Sequence, residues 1–118
     1  MGRAVGRRLA DEGIRIELHD DHFPQGTPDT EWLRDVGRRG WIVLTKDTRI
    51  RYRPNEKQVL LAAGVRAFVF ASGNLSGAQM SDAIVKALPK MLKLLATHHR
   101  AFVARITAAS DVAILLKK

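Results

Sequence analysis

Thr45-Lys46-Asp47 closes a short apolar run, Trp41 to Leu44, and arginines follow at positions 49, 51 and 53. A buried strand that delivers a carboxylate into a cluster of positive charge has the makings of phosphate chemistry. Other acids stand upstream: Asp20 and Asp21 in His19-Asp20-Asp21-His22, then Asp29 and Glu31. Carboxylates gathered at one place repel one another unless they bind protons or a cation sits between them. In a chain with no cysteine and no clear histidine ligand spacing, hard oxygen donors suit Mg2+ or Mn2+. Such an ion can activate water and stabilise the leaving oxygen of a phosphodiester. Lys46, Arg49, Arg51 and Arg53 would then hold the backbone phosphates beside it, with Tyr52 available to stack on a base.

Each residue also has a structural reading. Asp29 at a helix start interacts favourably with the helix dipole by about 0.3–1 kcal/mol, and Asp47 can close a turn through its own side chain. The Arg49-to-Arg53 alternation also fits a solvated extended segment with Ile50 and Tyr52 packed inward. Glu31 reads as solvated, Trp32 and Trp41 as core, and His98 and His99 as surface or helix-end residues. The contiguous His19-to-His22 run spreads its side chains in several directions, so Asp20 and Asp21 rank only as auxiliary ligands.

The elements that must position these residues alternate in type. Arg3 to Asp11, closed by Gly13, reads as a helix with Val5 and Leu9 on one face. Ile14 to Leu18 alternates as a strand does. Thr27-Pro28 looks like an N-cap followed by proline at the first helical position. The helix beyond carries Trp32, Leu33 and Val36 and ends near Gly40. Trp41 to Leu44 reads as a short buried strand, Pro54 to Ala63 as a helix, and Val65 to Phe70 as another buried strand. Leu75 to Thr97 is a long helical pattern with Ile84, Leu88, Met91 and Leu95 on one face and Lys86, Lys90 and Lys93 on the other. Pro89 inside it predicts a kink or a break into two helices. Two strands around a turn near Ala109 to Asp111 complete the chain as a hairpin edge. Strands alternating with helices predict an α/β fold with a mainly parallel sheet covered on both faces. Such sheets gather functional groups at the carboxyl ends of their strands, which brings the acids after successive strands to one edge.

The 118 residues carry a net charge of +8, which favours a polyanionic substrate or an acidic partner. The length suits a single domain spanning 1–118. No apolar run approaches the roughly 20 residues of a membrane span, and the basic N-terminus lacks a secretory signal's apolar core. Together with the absence of cysteine, this gives an expected cytoplasmic location.

The stretch TPDTEWLRDVGRRGWIVLTKDTRI resembles the core of the PIN-like ribonuclease superfamily, in particular the small prokaryotic proteins related to VapC-type toxins. That family pairs an acid opening a helix, here Asp29, with a strand ending in Thr-(Lys/Arg)-Asp, here Thr45-Lys46-Asp47. The resemblance implies a three-layer α/β/α sandwich, Mg2+- or Mn2+-dependent cleavage of RNA, and a cognate antitoxin protein as partner. Asp29 and Asp47 would be metal ligands, and Thr45 would position water or phosphate. Family members usually begin with a strand ending in an aspartate, whereas Met1 falls inside what would be the following helix. The expectation is therefore that either this start lies downstream of the natural one, or the protein has lost a metal ligand and a central strand. Without that strand the chain is expected either to be marginally stable or to recruit a strand from another copy as a homodimer. A catalytically degenerate RNA- or antitoxin-binding protein is the alternative reading.

Overall fold

The computed structural model describes residues 3–14, 22–24, 26–46, 53–71, 73 and 75–118. Helix α1 spans Arg3–Asp11, and Val5 and Leu9, one turn apart, are buried on the same face. Gly13 ends it in the left-handed region, φ 81°. There the Ile14 N–H returns to the Leu9 carbonyl at 3.0 Å, a helix ending that glycine adopts without steric cost. The strand expected over Ile14 to Leu18 lies, beyond Ile14 itself, outside the described residues.

Helix α2, Asp29–Arg39, buries Leu33 and Val36 and stops at Gly40, again left-handed at φ 68°. Only Gly40 and Trp41 separate it from strand β1, Ile42–Thr45. Helix α3, Pro54–Ala62, then leads to β2, Arg66–Phe70, helix α4, Gly77–Thr97, and strands β3, Phe102–Ile106, and β4, Val112–Lys117. The strand order is β1-β2-β3-β4. The first three run parallel, with Thr45 opposite Val69 and Phe70 opposite Ile106, and β4 closes the sheet antiparallel to β3.

Alternation along the strands builds two cores from one apolar run. Phe68, Phe70, Phe102, Ala104 and Ile106 face α1 and α4, where they meet Leu9, Ile84 and Met91. Ala67, Val69, Ala101 and Val103 face the opposite way, toward Leu33 and Val36 of α2 and Leu60 of α3. Both faces are covered over Ala67 to Phe70 and Phe102 to Ala104, so these stretches contain no polar alternation. The result is the expected α/β architecture, a mostly parallel sheet between two helical layers, with the hairpin at its edge. Among the described residues β1 is the other edge strand, paired only with β2. Ile42 there is 37% exposed, so this strand is less buried than its sequence implies. Among the described residues no helix is long and apolar enough to cross a membrane.

Two local expectations are corrected. Pro28 occupies the N-cap position of α2 rather than its first turn, and Thr27 does not cap. Its hydroxyl instead donates to the Pro24 carbonyl at 2.6 Å, closing the preceding turn. Of the two outcomes expected at Pro89, a kink or a break, the break does not occur: α4 runs unbroken from Gly77 to Thr97. Proline in a helix interior costs about 3 kcal/mol, and burial of Ile84 and Ala87 before it and Met91 after it offsets that loss.

The start of α4 carries a cap not singled out from sequence. Ser76 Oγ accepts from the Gln79 N–H at 3.1 Å, and Gln79 Oε1 accepts from the Ser76 N–H at 2.9 Å. This reciprocal pair satisfies two backbone donors that the helix itself leaves over. Ser76→Ala is expected to cost about 1 kcal/mol, measured as a lower denaturation midpoint with an unchanged denaturant slope.

Candidate active site

The two-residue connection at Gly40 and Trp41 makes α2 and β1 antiparallel neighbours of similar length, about 16 and 13 Å. The start of α2 therefore lies at the carboxyl end of β1. Asp29 opens that helix, and Thr45 and Lys46 end that strand. The geometry thus brings Asp29, Thr45 and Lys46 to one sheet edge, with Thr45 partly buried and Lys46 exposed. Asp47, Arg49 and Arg51 lie outside the described residues, as do Asp20 and Asp21.

Arg53 returns to the same edge as the N-cap residue of α3. Its Nη1 donates to Asp29 Oδ2 at 3.1 Å, with both side chains about one third exposed. The other carboxylate oxygen, Oδ1, accepts from Trp32 Nε1 at 2.8 Å. Asp29 therefore ties the start of α2 to the start of α3, across 24 residues of sequence. Trp32 was read from sequence as a core residue only. Its i, i+3 relation to Asp29 on one helix face is the signal that identifies the indole as this carboxylate's support.

A carboxylate has about four lone-pair sites, and these two hydrogen bonds leave capacity on Asp29 for another ligand. Hard oxygen donors at a solvent-accessible edge fit a divalent ion of the Mg2+ type, which keeps several waters and needs only one or two carboxylates. Among the described residues no three acidic, histidine or cysteine side chains gather into a metal-holding group. The remaining ligand read from sequence, Asp47, follows Thr45 by two positions in the chain.

Other sequence candidates fall elsewhere. Glu31 is exposed and lines a hollow of about 370 Å3 with Arg34, Arg38 and Ala63 on the outer surface of α2 and α3. His22 packs edge-on against Trp41, with ring centres 5.0 Å apart, which places it at the amino end of β1 and away from Asp29. Trp41 is only partly buried, with the Arg39 guanidinium 4.7 Å from its ring centre.

Residues 1–72, which include Asp29, Thr45 and Asp47, match the family model described as PIN like domain. The chain belongs to the PIN-like domain family. A curated relative of this PIN-like chain is the Mycobacterium tuberculosis protein named "Putative ribonuclease VapC45", 26% identical over 88 residues. The aligned region covers 71% of this chain and 64% of that relative, so the chain spans somewhat less than two thirds of the relative's length. No solved structure matches the chain.

Proposed function

We propose that this protein is a metal-dependent endoribonuclease of the PIN-like toxin type, restrained by a cognate antitoxin protein. The observation that carries the reading is that Asp29 lies at the same sheet edge as Thr45 and Lys46, which immediately precede Asp47 in the chain, within the residues matched to the family. In this reading Asp29 and Asp47 hold Mg2+ or Mn2+, and Thr45 orients water or phosphate. Lys46, Arg49, Arg51 and Arg53 bind the RNA backbone. A divalent ion held there would lower the pKa of a bound water and stabilise the leaving oxygen. The net charge of +8 supports a polyanionic substrate, and the similarity to a mycobacterial protein named as a ribonuclease supports RNA as its class.

The test is cleavage of a mixed RNA substrate with Mn2+, followed by removal of the ion with EDTA. Expected is strand scission that EDTA stops and added Mn2+ restores. RNA that stays intact in every metal condition overturns the nuclease reading. One observation favours a second reading, RNA or antitoxin binding without cleavage: Asp29 is held by a guanidinium, a cation that can stand in place of a metal. That reading predicts salt-sensitive RNA binding with no metal-dependent product.

A further inference from the structure

The end of the sheet opposite Asp29 carries a second concentration of positive charge, assembled from two elements. The connection from α4 to β3, Thr97 to Ala101, meets the end of β4, where the Lys118 N–H bonds to the Ala101 carbonyl at 3.0 Å and Lys117 pairs with Phe102. Between them is a concavity of about 360 Å3 lined by His98, His99, Arg100, Phe102, Lys117 and Lys118, with Thr97 and Ala101 beside them. Its volume falls within the roughly 300–1,000 Å3 of ordinary small-ligand pockets.

Among the described residues no acidic side chain lines it. From Ala83 to Lys118 the sequence contains a single carboxylate side chain, Asp111. It sits in the β3–β4 turn at the other end of those strands, 3.4 Å from Lys90.

A cation near the end of a helix often has a structural purpose, because the last carbonyls attract positive charge. Here Arg66 fills that purpose: its Nη1 donates to the Leu95 carbonyl at 3.0 Å and to the His98 carbonyl at 3.1 Å. Arg100, Lys117 and Lys118 are therefore not needed to close α4. They are exposed; the β3–β4 ladder fixes the backbone of Lys117, the bond to the Ala101 carbonyl fixes that of Lys118, and Arg100 immediately precedes Ala101. His98 is fixed too, with its Nδ1 3.0 Å from Thr97 Oγ1 and its ring edge-on to Phe102. His99 beside it is exposed. A concave group of point charges next to imidazole rings suits phosphates joined to flat bases, which stack on histidine.

We infer that the Arg100, Lys117 and Lys118 end of the sheet is a second contact for single-stranded RNA, separate from the edge that carries Asp29. This rests on the reading that the protein acts on RNA. The two contacts lie at opposite ends of strands in a molecule measuring 31 × 31 × 27 Å, so an RNA engaging both must run along the protein. The far contact then anchors long substrates and leaves very short ones untouched.

The test is fluorescence anisotropy with a labelled oligouridylate in EDTA, over a salt series, so that binding is read without cleavage. The variant is Arg100→Gln/Lys117→Gln/Lys118→Gln. A control, Lys86→Gln/Lys93→Gln/Arg105→Gln, removes the same charge from exposed positions elsewhere. Each lost phosphate contact reduces the salt slope for a single strand by about 0.7. The far-end variant should therefore lose about 2 in slope and about 100-fold in affinity near 0.1 M salt, while the control changes little. Equal loss in both variants means that net charge alone is felt, and overturns the proposal. Unchanged binding by the far-end variant overturns it too, as does selective loss of binding to polyglutamate with RNA binding intact. Metal-dependent cleavage accompanied by any of these results leaves the nuclease reading standing. Far-end binding without any cleavage sinks the nuclease reading alone.

Discussion

In the nuclease reading, Asp29→Asn is expected to reduce Mn2+-dependent RNA cleavage by at least about 100-fold while leaving the protein folded. Residues that merely support a metal ligand are worth 10–100-fold in affinity or activity, so loss of a ligand itself should match or exceed that. Asparagine keeps a side-chain oxygen to accept from Trp32 Nε1, and the substitution removes the charge that pairs with Arg53. That pair is about one third exposed on each side, and solvent-screened pairs contribute about 0–1 kcal/mol. The melting temperature should fall by no more than about 5 °C. A purely structural Asp29 would give the same small loss of stability with cleavage intact, so the two readouts separate the roles. Mn2+ binding, followed as the loss of the free-ion paramagnetic resonance signal, supplies a third readout and should weaken about tenfold or more. Arg53→Gln sharpens the distinction. If Arg53 chiefly restrains Asp29, releasing the carboxylate should lower the Mn2+ concentration that gives half-maximal rate. If it grips phosphate, KM for RNA should rise instead.

The sequence was most informative where the governing interactions are local. Leu33 and Val36 at helical spacing and the glycine at 40 predict α2 and its end, because apolar periodicity and the left-handed preference of glycine act within a few residues. The unbroken apolar run Ala67 to Phe70 of β2 likewise announces a strand covered on both faces. The break expected at Pro89 does not occur because the proline penalty is local, whereas the burial that offsets it comes from the sheet and α1. Thr27-Pro28 misled by a single position, since the hydroxyl chose the Pro24 carbonyl over the helix.

Legibility of the sites follows the same division. Asp29 could be read as an acid at a helix start, but its ion pair with Arg53 depends on α2 and α3 beginning side by side. The far-end cluster was not legible at all. Arg100 and Lys117 come together through the antiparallel register that puts Lys117 opposite Phe102 and through the Lys118 bond to Ala101. Periodicity reports which face a residue takes, whereas charge clusters of this kind are set by which strand ends meet.

Gly37→Ala should lower stability by about 1–3 kcal/mol, or roughly 5–15 °C in melting temperature for a chain of this length. The direction runs against helix propensity, which favours alanine over glycine in a helix interior by about 1 kcal/mol. Packing decides the sign. A Cβ at position 37 would stand 2.5 Å from the Ala63 carbonyl oxygen and 2.8 Å from the Ala63 Cβ. The first of these neighbours is backbone at the C-cap of α3, and cannot swing aside as a long side chain would. To make room, α2 and α3 must separate, and the layer formed by Leu33, Val36 and Leu60 loses contact with the sheet. Ala63→Gly should rescue only part of the loss, because it deletes the methyl at 2.8 Å and leaves the oxygen at 2.5 Å. Full rescue would place the conflict between the two methyl groups, and a stabilised Gly37→Ala protein would mean that the two helices are free to move apart. Displacement of α2 and α3 also moves Asp29 and Arg53 at their adjoining ends. In the nuclease reading, Gly37→Ala should therefore lower cleavage even at temperatures where the protein is fully folded, although residue 37 is two turns from the carboxylate.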